Sequence, residues 1–146
     1  MNKQYYIAGP MTGLPQFNVP AFERMAERLR AAGFDVISPA ELDSEGVKAA
    51  ALVSLDGKLD ANGKLAGETW GDMLARDVKI IADVVRDGIV VLPNWFKSRG
   101  ARLEVFVALL CNKDILADFA INGEPPTLIK IEREIVVSLI AGSFES

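Results

Sequence analysis

Glu104 is the residue best placed to do chemistry, because it is a carboxylate on a helical segment that is otherwise almost entirely apolar. The stretch from Asp87 to Glu104 reads as a buried strand, a short loop and the first turn of a helix. Ile89 to Leu92 form a β-branched apolar run of the kind used in parallel sheets. Pro93 and Asn94 stop that strand, Ser98 and Gly100 suit a loop meeting a helix N-terminus, and helix is expected from Ala101 to Asn112. A helix start facing the end of a parallel strand favours anions, because its free N–H groups and its dipole point there. In that first turn Glu104 has two readings. It is either an acid that complements the helix dipole or a catalytic carboxylate that the dipole keeps ionised. The chain contains no histidine. Ser-His-Asp catalysis, Cys-His catalysis and His-ligated zinc are therefore excluded. An enzyme of this composition works with carboxylates, tyrosines and backbone dipoles, and neither a metal nor a cofactor is expected.

The elements that must position such a group follow from the apolar periodicity. Tyr5 to Ala8 read as a first strand, ending in the turn Gly9-Pro10-Met11-Thr12-Gly13. Pro20 to about Ala32 read as a helix with Phe22, Met25, Ala26 and Leu29 on one face, and Gly33 suits its C-terminal end. Phe34 to Ile37 form a second strand, closed by Ser38-Pro39. Strand, helix and strand in this order imply a βαβ unit and a parallel sheet. Residues 43–69 differ in character, being rich in Gly, Ala, Lys and Asp, with turn signals at Asp56-Gly57 and Asn62-Gly63. This insert is expected to hold a short hairpin or helix, and is either a mobile lid or a plain surface excursion. Trp70 to Val85 read as a helix with Leu74, Val78, Ile81 and Val85 on one face. Asp114 to Leu116 begin a further strand, Thr127 to Ile131 suit a last one, and Glu132 to Ile140 fit helix or strand equally. The expected fold is α/β, a three-layer sandwich with a mainly parallel sheet, in a single domain spanning residues 1–146.

Composition bounds the partners. A chain of 146 residues, half of them hydrophobic, fits one domain with a real core. A net charge of −4 argues against a nucleic-acid binder or an anionic-membrane binder. The single cysteine, Cys111, lies in an apolar helix and reads as a structural thiol. No stretch is long enough to cross a bilayer and no signal peptide is read at the N-terminus, so a cytoplasmic location is expected. The apolar helix Ala101 to Asn112 and the hydrophobic stretch Ile135 to Ile140 exceed what one small domain buries, which predicts a homodimer or a higher symmetric oligomer.

In a doubly wound sheet, ligands bind beyond the C-terminal ends of the strands. The turn Gly9 to Gly13, the loop Ser98 to Gly100 with Glu104, and the start of the insert after Pro39 all fall there. Backbone N–H groups of the turn, with Pro10, Met11 and Thr12 at its centre, join Ser98, Gly100 and the cation Arg102 in a set suited to a phosphate or carboxylate. There is no Walker lysine and no three-glycine dinucleotide fingerprint.

Tyr6-Ile7-Ala8-Gly9-Pro10-Met11-Thr12-Gly13, Asp77, and Ser98-Arg99-Gly100-Ala101-Arg102-Leu103-Glu104 together resemble the nucleoside 2-deoxyribosyltransferase superfamily. The likeness is greatest to its small branch common in bacteriophage and bacterial genomes, whose Leu-Pro-Gly-Trp stretch is similar to Leu92-Pro93-Asn94-Trp95. The resemblance implies a flavodoxin-like fold and a glutamate nucleophile at Glu104 that attacks the anomeric carbon of a 2-deoxyribosyl group. It implies that Asp77 orients the sugar or assists the leaving base, and that Tyr6 positions the glutamate. In nucleotide-hydrolysing members the turn and the serine-glycine loop hold a 5′-phosphate, which corresponds to Gly9 to Gly13, Ser98 and Gly100. Read without the resemblance, Asp77 is equally a solvated helix residue and Tyr6 a core aromatic. Trp70 and Trp95 either stack on a base or belong to the core. The expected activity is cleavage of the N-glycosidic bond of a deoxynucleoside or its 5′-monophosphate, by hydrolysis or base exchange. The alternatives are a non-catalytic nucleotide- or ADP-ribose-binding module and hydrolysis of the nicotinamide bond of NAD.

Overall fold

The computed structural model describes residues 2–121, 123–142 and 144. In chain order the elements are β1 (Gln4–Ala8), α1 (Val19–Ala31), β2 (Asp35–Ile37), α2 (Pro39–Leu42), α3 (Glu45–Leu52), β3 (Lys64–Leu65), β4 (Glu68–Thr69), α4 (Trp70–Asp83), β5 (Gly88–Val91), α5 (Arg99–Leu110), β6 (Asp114–Asp118), β7 (Leu128–Lys130) and α6 (Arg133–Gly142). The main sheet has the order β2-β1-β5-β6-β7. β1 pairs in parallel with both β2 and β5, and β5 pairs in parallel with β6. β7 closes the far edge antiparallel to β6. The architecture is the expected three-layer α/β sandwich, flavodoxin-like in strand order.

Period-2 alternation divides the strand residues between two cores. Tyr6, Ala8, Ile89, Val91 and Ile115 face α4, α5 and α6. Tyr5, Ile7, Val90, Leu92 and Leu116 face α1, α2 and α3. Both faces are covered, which is why the β5 sequence Gly-Ile-Val-Val is continuously apolar. α1 ends on Gly33 at φ +92, with the Phe34 N–H reaching the Leu29 carbonyl at 3.1 Å, a Schellman closure that turns the chain into β2.

Several expectations sharpen or change here. The insert holds both a helix, α3, and a hairpin, β3–β4. The hairpin turns at Ala66-Gly67, both at positive φ, and Asn62-Gly63 is a turn just before it, with the Gly63 N–H meeting the Asp60 carbonyl at 2.9 Å. The stretch after Glu132, which fits helix or strand by pattern, is the helix α6. α5 begins at Arg99, two residues before its expected start. Among the described residues no helix is long and apolar enough to cross a membrane.

The chain reverses direction across the sheet between β1 and β5, because the β1–α1–β2 connection goes to one side and the β2–α4–β5 connection crosses back to the other. The crevice beyond the C-terminal ends of those two strands is where such a sheet binds ligands. Gly9 lets them close together at that end, since a Cβ on it would stand 2.7 Å from the Leu92 Cβ.

Candidate active site

Two helices carry a carboxylate where the core expects an apolar side chain. On α5 the buried stripe is Ala101, Glu104, Val105, Ala108 and Leu109, at i, i+3, i+4, i+7 and i+8. Glu104 therefore lies on the face that packs against the sheet, in the second turn. The reading of a first-turn acid held ionised by the helix dipole is overturned, because the dipole's influence fades beyond the first turn. On α4 the buried residues are Asp77 and Ile81, one turn apart, so Asp77 is not a solvated helix residue. The start of α4 is fixed by a capping box, in which the Asp72 N–H meets Thr69 Oγ1 at 3.0 Å and the Thr69 N–H meets Asp72 Oδ2 at 3.2 Å.

Tyr6, fully buried in the middle of β1, donates its hydroxyl hydrogen bond to Glu104 Oε2. Tyr6, Asp77 and Glu104 thus form one cluster although they come from three different elements. The Glu104 carboxyl is raised to about 8, first by burial and then by the Asp77 charge, with the Tyr6 hydrogen bond and Arg76 opposing the rise. Asp77 is raised to about 6, also chiefly by burial, with Arg76 opposing. Burial, then the charges of Glu104 and Asp77, push the Tyr6 phenol well above its ordinary value, so it acts as a fixed donor. The two carboxyls titrate as a coupled pair, which between about pH 6 and 8 holds one proton and one negative charge.

Arg76 sits beside this pair and was not anticipated from the sequence. Its Nη2 lies 2.8 Å from Asp77 Oδ1, and its Nη1 bonds Asp43 Oδ1 at 2.8 Å. Successive residues on a helix diverge, so the adjacency of Arg76 and Asp77 in the chain carried no signal of contact. Asp43, at the head of the insert, was also not singled out; its carboxyl is raised by burial against the pull of Arg76.

One pocket spans these groups. Asp77, Glu104, Gly9, Met11, Thr12, Ser98 and Gly100 all line it, as expected for a site at this sheet edge. Trp70 lines it too, with the Arg99 guanidinium 4.8 Å from its ring centre, whereas Trp95 is a core residue. Val47, Ala51, Leu59 and Leu65 make the insert an apolar wall of the pocket. Four expected residues lie outside the lining, the first being Tyr6, which is fully buried and reaches the site through its bond to Glu104. Pro10 is outside the lining, its carbonyl accepting from Asn18 Nδ2 at 2.8 Å. Gly13 is also outside, and its N–H is taken by the Gly57 carbonyl at 2.7 Å, which removes one donor from the expected anion cradle. Arg102 points away from the pocket and packs over the Phe144 ring at 4.9 Å. Ser98 Oγ caps α5 by accepting from the Ala101 N–H at 3.2 Å, and it keeps its own proton to donate.

Residues 3–117 match a family described as a domain of unknown function, DUF4406. The chain belongs to the DUF4406 family. The matched span runs from β1 into β6 and contains every member of the DUF4406 pocket, while β7 and α6 lie beyond it. No curated protein and no solved structure matches the chain.

Proposed function

We propose that this DUF4406 chain cleaves the N-glycosidic bond of a deoxynucleoside or its 5′-monophosphate, by hydrolysis or base exchange, through chemistry of the nucleoside 2-deoxyribosyltransferase type. The observation that carries the reading is the buried carboxyl pair Glu104 and Asp77, joined by the Tyr6 hydroxyl on Glu104, at the wall of a pocket at the sheet's switch point. Binding alone does not require a nucleophile buried at the cost of its own ionisation, which weighs against an idle nucleotide- or ADP-ribose-binding module.

The chemistry follows from the pair's single proton and single charge. Bond cleavage at an anomeric carbon passes through an oxocarbenium-like state, which an adjacent anionic carboxylate stabilises before bonding to it. Asp77 ionises before Glu104 in the unliganded pair, so the reactive arrangement is the reverse of the resting one: the proton passes from Glu104 to Asp77, which puts the charge on Glu104. Glu104 attacks C1′, the C1′–N bond breaks, and the bonding pair leaves with the base, which takes the Asp77 proton. Asp77, now ionised, then accepts a proton from the water or second base that displaces Glu104 from C1′. Tyr6 favours the charge on Glu104 by donating to it.

The test is incubation with a panel of deoxynucleosides and their monophosphates, with free base followed by chromatography. Glu104→Gln is expected to lower base release by about three orders of magnitude or more with little change in affinity, because the lost charge acts mainly in the transition state. A 2-fluoro sugar analogue should leave a glycosyl adduct on Glu104, visible by mass spectrometry. Full activity in Glu104→Gln on a confirmed substrate removes the mechanism.

A further inference from the structure

Among the described residues lining the pocket, Arg76 is the only basic side chain. Its guanidinium joins its own helix to both ends of α2. It holds Asp77 on α4, Asp43 at the head of the insert at 2.8 Å, and the Pro39 carbonyl after β2 at 3.4 Å. An arginine meets two carboxylates with donors fixed in one planar fork, whereas a lysine offers a point charge on a flexible stem. The Asp43 side chain is 8% exposed and that of Asp77 is 11% exposed, so solvent screens neither contact fully.

We propose that Arg76 is a positioning residue of the carboxyl pair: gripping Asp77 and Asp43 at once, it sets the orientation and charge of Asp77 and ties that charge to the seating of the insert. The role in catalysis rests on the glycosidic reading above; the electrostatic role does not. The groups facing Asp77 are Tyr6 from β1, Glu104 from α5, Arg76 from its own helix and Asp43 from the insert. Lys48 of α3 and Glu68 of β4 in turn face Asp43. Within this set Arg76 favours the Asp77 anion and Asp43 opposes it, so the two have opposite signs.

That opposition makes a test that general damage cannot mimic. The pair is titrated by carboxyl-carbon NMR in the unliganded full chain. Arg76→Gln is expected to raise the lower of the pair's two steps by about one pH unit or more, since it removes an adjacent opposite charge. Asp43→Asn is expected to lower the same step, and Arg76→Lys to fall between the parent and Arg76→Gln. In base-release kinetics the acid limb of kcat/KM moves up with that step in Arg76→Gln. A folded Arg76→Gln with both steps unmoved overturns the proposal. If Arg76→Gln does not fold, Asp43→Asn decides alone, and an unmoved or raised lower step overturns it. A parent that releases base from no nucleoside overturns the glycosidic reading, while the titration still decides the role of Arg76.

Discussion

Glu104 occupies a position that the fold would otherwise fill with an apolar side chain, and the pH behaviour of the protein follows from that. The carboxyls of Glu104 and Asp77 titrate higher in the folded chain than in the unfolded one. Their contribution to stability is therefore full at low pH and is lost as pH rises, through about 6 for Asp77 and about 8 for Glu104. Glu104→Gln cannot ionise and keeps an oxygen for the Tyr6 hydroxyl to meet. It is expected to stabilise the protein by several kcal/mol near pH 9, at about 1.4 kcal/mol for each pH unit by which the carboxyl is raised, and by little near pH 5, read by thermal denaturation at the two pH values. Equal midpoints for parent and variant at both would show that Glu104 is not buried as a neutral acid. Activity on a confirmed substrate is expected to be bell-shaped in kcat/KM, with limbs near 6 and 8, because the reactive pair needs one proton and one charge. A profile flat from about pH 5 to 9 would count against the pair.

At the scale of elements, the insert is the part of the fold that walls the pocket with apolar side chains. It is seated on the loop after β1 by Gly13 N–H to the Gly57 carbonyl at 2.7 Å and Gln16 N–H to the Ser54 carbonyl at 2.8 Å. Gly57 is at φ +68, and a Cβ there would lie 2.1 Å from the Leu14 carbonyl oxygen. Gly57→Ala is expected to unseat this contact, raising amide hydrogen exchange across the insert and raising KM several-fold, with the sheet protected as before. Unchanged exchange in residues 54–57 would mean that the loop accommodates the side chain by another route. The opposite wall is set by the capping box of α4, whose loss in Thr69→Ala is expected to cost about 1 kcal/mol, measured by denaturant unfolding.

At the scale of the molecule, α5 presents a second, outward stripe. Leu103, Phe106 and Leu110 lie at i, i+3 and i+7 and are 40%, 46% and 67% exposed, and Ile135 and Val137 of α6 are about half exposed. These are the segments whose apolar content predicts a homodimer or a higher symmetric oligomer. Light scattering is expected to give a mass of at least two chains, and Phe106→Asp to reduce it to one. A parent that is monomeric at every concentration would leave the stripe as plain surface.

The order of strands and helices was legible in the sequence, because β5 and the strands beside it are apolar runs between turn residues, and α1 carries its apolar stripe at helical spacing. The parallel sheet and its binding edge follow from that order, since a βαβ connection admits essentially one handedness. Local pattern also marked Glu104, a charge in an apolar helix. What it could not give was phase. Two residues' difference in where α5 begins moved Glu104 from the first turn to the second, and so from dipole complement to buried acid. Nor could spacing show that Tyr6, Asp77 and Glu104 meet, or that Arg76 grips Asp43 from 33 positions away. Those contacts depend on how three layers pack, and no local periodicity encodes the distance between side chains that only the assembled sheet and its helices bring together.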